Sequence, residues 1–206
     1  MPRIVAIIAQ KGGTGKSTVC LHLAAMAGSG VVLLDTDPQG SCADWWQVGS
    51  REVPEVIEVP AAKLDQALTK LKDRPWVFVD TGPAISHDAK LVAERADLVL
   101  VVTRPSPPDL RAIRHSLPIV KATKAKAAIL LNACPVGRGT GENGQVTDAR
   151  DALVAYGLPL VPVTISHRVA LQHAFIDGRL GWEVDPKSPA QAEFTKVWSW
   201  INAAAA

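Results

Sequence analysis

Cysteine is scarce in this chain of 206 residues: only Cys20, Cys42 and Cys134. An odd number at wide spacing excludes a disulfide framework and leaves no zinc-ligand pattern. The three read as small buried hydrophobes in a reduced, cytoplasmic protein. Long apolar runs are missing too, since none reaches the roughly 18–20 residues that span a bilayer. The first apolar stretch, Ile4-Val5-Ala6-Ile7-Ile8-Ala9, is short and has no cleavage-site pattern, so a signal peptide is not expected. Net charge is nearly absent: 22 basic against 20 acidic residues leave +2, which taken whole gives little reason to expect a nucleic-acid partner. No repeat or low-complexity linker divides the chain, so one domain over 1–206 is predicted. What the sequence has in plenty is apolar surface, 48% of residues, enough for a core without staples.

Short apolar runs alternate with helix-length segments. Strands are predicted at 4–9, 31–34, 56–59, 76–79, 98–102, 127–131 and 160–163. Several are continuous Val/Ile/Leu runs, as expected of parallel strands covered on both faces. Helices are predicted near 16–28, 61–72, 86–95, 109–117, 145–156, 168–176 and 189–202. The repeated β-then-α order argues for a doubly wound, mostly parallel α/β sheet of about seven strands. Ligands of such sheets sit at the carboxyl ends of the strands. The stretch Gly137-Arg138-Gly139-Thr140-Gly141-Glu142-Asn143-Gly144 reads as a surface loop, because no Lys-Ser pair frames it as a phosphate cradle.

Residues 11–18 read Lys-Gly-Gly-Thr-Gly-Lys-Ser-Thr, directly after the first strand and before a helix. That is the context of a phosphate-binding loop. Gly12, Gly13 and Gly15 let the backbone curl so that its N–H groups face an anion, and Thr14 completes the curl. The following helix adds its positive end. Lys16 reaches the β- and γ-phosphates, Ser17 ligates Mg²⁺, and Thr18 hydrogen-bonds the α-phosphate. The fourth strand runs Trp76-Val77-Phe78-Val79 into Asp80, a strand-end carboxylate suited to hold Mg²⁺ through water.

The loop departs from the ordinary spacing by carrying Gln10 in place of a glycine and a second lysine, Lys11. In this it resembles the deviant Walker A motif of the ParA/MinD family of ATPases. The resemblance implies that Lys11 reaches the nucleotide of a partner subunit in a face-to-face ATP dimer. It also bears on Asp35-Thr36-Asp37-Pro38-Gln39-Gly40-Ser41, which is similar to the family's switch I. By that likeness Asp37 positions or activates the attacking water and Asp35 supports the metal site. Thr81-Gly82-Pro83 resembles switch II. Thr103-Arg104-Pro105-Ser106-Pro107-Pro108-Asp109-Leu110 resembles the family's Pro-x-x-Pro-Ser-x-x-Asp-Leu stretch, with its first proline replaced, so only Asp109 carries across. Asn132 closes the sixth strand, where the family often has an adenine contact; a strand-ending turn former is the equal alternative.

Within the family the nitrogenase iron-protein branch is excluded, because no cysteine lies between Cys42 and Cys134 to hold a cluster. The MinD-like membrane branch needs a basic amphipathic tail. Here Phe194, Val197, Trp198 and Ile201 form one stripe beside a single lysine, Lys196, which predicts packing on the core. The small ParA type fits best, with no helix-turn-helix domain before the first strand. Charge supports it: residues 104–126 carry +5 and the rest of the chain −3. Arg111, Arg114, Lys121, Lys124 and Lys126 are therefore the expected contacts to DNA phosphates, made without sequence preference.

The resemblance thus implies a partition or positioning ATPase. It would bind ATP or ADP with Mg²⁺ and hydrolyse ATP slowly. It would form a homodimer on nonspecific DNA, associate with the nucleoid, and answer to a small ParB-like DNA-binding activator. No stable membrane anchor is expected. The alternatives are a ParA-like ATPase that positions a protein complex without DNA and a MinD-like membrane-associated ATPase. A P-loop enzyme that carboxylates or ligates a small substrate is disfavoured by Lys11 and by the segment 35–40.

Overall fold

Strand alternation divides the core in two. The computed structural model describes residues 1–83, 87–137 and 141–205. The middle of the glycine-rich loop (138–140), the first residue of the helix expected at 86–95, and Ala206 lie outside them. The described strands are β1 (Arg3–Ile8), β2 (Val32–Asp35), β3 (Glu55–Glu58), β4 (Trp76–Asp80), β5 (Leu98–Thr103) and β6 (Lys126–Leu131). They form one parallel sheet in the order β3-β2-β4-β1-β5-β6. On one face Val5, Ile7, Leu33, Phe78, Leu100 and Leu130 share a cluster with α1 (Lys16–Ala27) and the last helix. On the other, Ala6, Ile8, Leu34, Val79, Val101 and Ile129 pack under α3 (Leu64–Lys70), α4 (His87–Arg95), α5 (Pro107–Ile113), α6 (Leu117–Ala122) and α7 (Gly144–Val154). A side-chain period of two sends alternate residues to opposite faces, so the central strands, covered on both, are apolar along their buried length up to the carboxyl end, while the edge strand β3 keeps a glutamate at each end.

The expected seventh strand is not formed. Residues 160–163 run beside β6 with Val161 N donating to Ile129 O at 2.9 Å, but only the Ile129–Leu160 bridge forms there. Pro159 and Pro162 flank that contact without N–H groups, which stops the ladder. Among the described residues two α-helices were not expected, α2 (Ser41–Gly49) and the short α9 (Gly181–Val184). The helix predicted at 109–117 is two, α5 and α6, with Pro107 and Pro118 in their first turns. After α7 come α8 (Val169–His173), α9 (Gly181–Val184) and α10 (Ala190–Ala204).

The apolar stripe of α10 packs on the core as its spacing predicted. Phe194, Val197 and Ile201 are fully buried, and the ring of Trp198 meets Trp76 edge-on at 4.8 Å. α1 is covered all round: Val19, Cys20, Leu21, His22, Leu23 and Ala24 are fully buried. His22 is the polar exception. Its Nδ1 lies 2.7 Å from Thr18 O and its Nε2 2.9 Å from Gly181 N. The second contact needs an acceptor, so the proton sits on Nδ1 and the ring is neutral.

Burial holds the His22 pKa down at about 4, against an opposing pull from the Thr18 hydrogen bond. An unfolded histidine takes its proton near pH 6.5, so stability tied to the neutral ring is full above that value. It is lost as pH falls from there toward about 4, by about 3 kcal/mol in all. Asp80, raised to about 7, titrates with the opposite sign in the same window. Wild-type stability alone therefore hides the effect. The expected result is a difference in denaturation free energy between wild type and His22→Gln that shrinks by about 2–3 kcal/mol from pH 7.5 to 4.5. A pH-independent difference would mean that the imidazole does not change its protonation on unfolding in this range.

Candidate nucleotide site

The sheet order places β1 between β4 and β5, while the chain leaves β1 for β2 on one side and returns by way of β4. This is the switch point where a crevice opens at the strand carboxyl ends. The loop after β1 fills it. Gly13 and Gly15 adopt left-handed φ of 73° and 85°, which turns successive N–H groups toward one side. α1 then begins Lys16-Ser17-Thr18, with no carboxylate to repel an anion at its positive end. Lys16 is 6% exposed.

Strand register brings the two predicted strand-end aspartates together. Asp35 pairs with Asp80, and Asp80 with Ile7. Thr36 Oγ donates to Asp80 O at 2.6 Å and Thr81 Oγ to Ile7 O at 2.9 Å, which ties the ends of β2, β4 and β1 at one level. Asp80 is fully buried. Ser17 donates to its carboxylate, and the Cys42 thiol lies 3.5 Å from Oδ2. Oδ1 has no hydrogen-bond partner among the described residues. Burial chiefly drives its pKa up to about 7, with the Asp35 charge adding to the rise and Lys16 opposing it. A buried, unpaired carboxylate oxygen beside a serine hydroxyl fits a divalent cation. Among the described residues no three His, Cys, Asp or Glu side chains converge on a metal position. The chemistry therefore fits Mg²⁺ that arrives with phosphate and water ligands.

Asp35 does something different from its neighbour. Its Oδ1 accepts from Asp37 N at 3.1 Å, and its Oδ2 from Cys42 N at 2.9 Å and Ala43 N at 3.1 Å. It caps α2 from a distance and ties the 36–40 turn to β2. Burial raises its pKa in spite of these three bonds. Asp37 is also buried. Its Oδ1 accepts from Gln39 N at 3.0 Å, and Gly82 leaves room beside it, since a Cβ there would stand 3.6 Å from the same oxygen.

Two clefts share Gly13, Gly15 and Thr18 and so form the two ends of one groove along the loop. The phosphate end, about 320 Å³, is lined by Lys16, Ser17, Asp37, Gln39, Pro83 and Phe175. The other end, about 470 Å³, is of nucleoside size and is walled by Arg104, Asn132, Ser166, His167, Arg168 and Gln172. Asn132 lines it, but its Nδ2 donates to Thr14 O at 2.7 Å, and a Cβ on Gly15 would meet that nitrogen at 2.3 Å. The amide braces the phosphate loop. Glu193 holds the opposite wall, accepting from Ser166 Oγ at 2.8 Å and Arg168 Nη2 at 2.7 Å.

The sequence pattern gave no sign of residues 166–175 as a wall. The segment has no strand or long helix, and only Pro-flanked loop chemistry precedes it. Arg104 was visible only as the first charge of the basic segment 104–126, at a position the Pro-x-x-Pro-Ser-x-x-Asp-Leu motif leaves open.

The five cations expected to touch DNA are all exposed but do not form one cluster. α5, with Arg111 in it and Arg114 just after, follows the carboxyl end of β5. α6 and Lys124 lead down to the amino end of β6. Lys126, at that far end, donates to Ala204 O at 2.8 Å.

Comparison with known proteins agrees with this geometry. The family model described as CobQ/CobB/MinD/ParA nucleotide binding domain matches residues 5–174. The chain is 29% identical over 204 residues to maintenance of carboxysome distribution protein A of Gloeobacter kilaueensis, covering 95% of this chain and 92% of that one. It is 27% identical over 187 residues to protein ParA of Rhizobium radiobacter, covering 84% and 82%. Among solved structures, apo McdA of Cyanthece superposes with a TM-score of 0.80 at 15% identity over 100% of both chains. MinD of Pyrococcus horikoshii OT3 complexed with Mg-ADP superposes with a TM-score of 0.78 at 19% identity, covering 98% and 96%.

Proposed function

The chain belongs to the CobQ/CobB/MinD/ParA nucleotide-binding family, and on that premise we propose that it is a Mg²⁺-dependent ATPase that positions cargo through an ATP-driven homodimer on DNA. The observation that carries this reading is Lys11 and Lys16 on one loop, beside a groove lined by Lys16, Ser17 and Asp37, with the unpaired Asp80 Oδ1 buried at the end of the adjoining strand. Lys16 and the loop N–H groups bind the phosphates. Ser17, with Asp80 through water, would hold Mg²⁺, which neutralises phosphate charge when bound. Asp37 orients the attacking water and accepts its proton. Asp35 shapes the switch turn and so keeps Asp37 in place. Lys11 is delivered to the nucleotide of a second copy. Slow hydrolysis, accelerated by a small DNA-binding partner, ends the cycle.

A second reading of the cargo, a large protein assembly, is favoured by the relatives named for carboxysome distribution. The two readings share the ATP dimer and part on DNA. The decisive experiment is sedimentation with ATP and with ADP, followed by a gel shift on random duplex across a salt series. ATP-dependent dimers that retain DNA at low salt support the first reading, and dimers without DNA retention support the second. A chain that remains monomeric with ATP refutes both. Arg111 and Arg114 are exposed cations on and just after α5. Reversing both to Glu is expected to weaken DNA retention and to reduce the log–log salt slope by about 2, with ATP binding unchanged. Unchanged retention would move the DNA surface elsewhere.

A further inference from the structure

Lys11, the residue that sets this loop apart, is held within its own chain. Its Nζ lies 3.4 Å from Asp109 Oδ1. Asp109 is 3% exposed and accepts three other bonds: from Arg104 Nε at 3.0 Å, Arg104 Nη2 at 3.5 Å and Ser106 Oγ at 2.5 Å. The Lys11 side chain is 42% exposed. Arg104 is equally exposed at 41%, so the two cations differ in contact and not in exposure: Lys11 touches one carboxylate oxygen, while Arg104 forks over both.

A buried carboxylate cannot be left without a counter-ion, because the cost of baring it exceeds the gain from any single replaced contact. Burial pushes the Asp109 carboxyl up, and the bonds from Ser106 and Arg104 outweigh that push, with Lys11 a smaller contributor. The carboxylate is thus satisfied by Arg104 and Ser106 before Lys11 is counted.

We infer that Arg104 is a positioning residue: as the resident counter-ion of Asp109 it makes the Lys11–Asp109 contact dispensable, so that Lys11 can be released to the nucleotide of a second copy of this chain. The inference rests on the ATP-dimer reading above. Without Arg104, Lys11 would be the only side-chain cation among the described residues on a buried carboxylate, and drawing it across an interface would expose that charge. Arg104 then acts on dimer formation through Asp109 and Lys11. Its place in the wall of the nucleoside cleft offers a competing role, direct contact with nucleotide, which the test must separate.

The test uses the full chain as wild type, Arg104→Gln, Arg104→Lys, Asp109→Asn and the Arg104→Gln/Asp109→Asn double variant. ATP-dimer dissociation constants come from sedimentation, and ADP affinity is measured on the monomer. Arg104→Gln is expected to weaken the ATP dimer about tenfold or more while ADP affinity stays within about twofold. Arg104→Lys is expected to keep most of the dimer affinity. Asp109→Asn is expected to restore dimerisation to Arg104→Gln, since no charge is then left bare. An ADP affinity that falls in step with the dimer, or a double variant no better than Arg104→Gln, would overturn the inference in favour of direct nucleotide contact. A wild-type dimer that Arg104→Gln does not weaken would overturn it alone. A wild-type chain that stays monomeric in ATP would overturn the dimer reading and this inference with it.

Discussion

Asp37→Ala is expected to stop ATP turnover while leaving ATP bound and the dimer trapped. The carboxylate sits at the phosphate end of the groove, oriented by Gln39 N and by the turn that Asp35 holds in place. No hydrogen bond or ion pair among the described residues ties it to the loop glycines or to Lys16, so its removal is expected to leave the phosphate cradle intact. Loss of a positioned general base costs about 10²–10⁴-fold in rate. Lys16→Ala acts at the other step. It removes a buried cation from the phosphate site, an interaction of about 2–5 kcal/mol, so nucleotide affinity itself falls by roughly thirtyfold or more. Turnover assays and nucleotide titrations on both variants separate the roles. Wild-type turnover by Asp37→Ala would show that Asp37 is not the base. Undiminished ATP affinity in Lys16→Ala would show that the groove does not hold phosphate where the loop geometry puts it.

Lys16 was legible in the sequence because its chemistry is local, whereas Asp37, two residues past the end of β2, was reached only through the resemblance of residues 35–41 to the family's switch I. A run of three glycines and two lysines between a strand and a helix has one physical use. An aspartate that ends an apolar strand has few. The sheet was legible for a related reason. Strands covered on both faces are apolar throughout, and Val5 to Ile8 or Val77 to Val79 cannot be mistaken for half-exposed elements.

What escaped sequence reading is held by distant partners. α2 begins after Asp-Pro-Gln-Gly, which reads as a turn, and its cap is the side chain of Asp35 six residues before its first residue. A cap on another element leaves no spacing signature. The run 160–163 is apolar enough for a strand, yet two prolines without N–H groups reduce it to a bridge. The nucleoside wall depends on Glu193 reaching back from α10 to residues 166–168, a contact across 25–27 positions. The spread of the basic segment along α5 and α6 is likewise a matter of tertiary placement, although its charge was plain.

The segment after α8 and the helix α2 also meet at one place the sequence did not signal. The C-terminal end of α2 lies against the turn after α8 with no side chain between them. A Cβ on Gly178 would stand 2.1 Å from Gly49 N, 2.3 Å from Gly49 Cα and 2.7 Å from Trp45 O. Gly178 also adopts a left-handed φ of 60°. Around this contact Trp45 Nε1 donates to Arg179 O at 2.8 Å, and Arg51 pairs with both oxygens of Glu183 at 2.7 and 2.8 Å. Gly178→Ala must therefore push backbone from backbone. Phe175, three residues earlier, lines the phosphate end of the groove, and Ser41 and Gln39 line it from the α2 side. The expected cost is about 2–5 kcal/mol, the sum of a left-handed alanine and an overpacked contact. In a chain of this size that lowers Tm by roughly 10 °C, with weaker ATP affinity alongside. Gly157→Ala is the control, because Gly157 has a similar φ of 70° and nothing within 4 Å of a Cβ. It bears the conformational cost alone, about 1–2 kcal/mol. If the two variants melt together, the Gly49–Gly178 approach carries no weight. If Gly178→Ala melts well below Gly157→Ala and also loses ATP affinity, the close backbone contact is what couples the switch helix to the nucleotide wall.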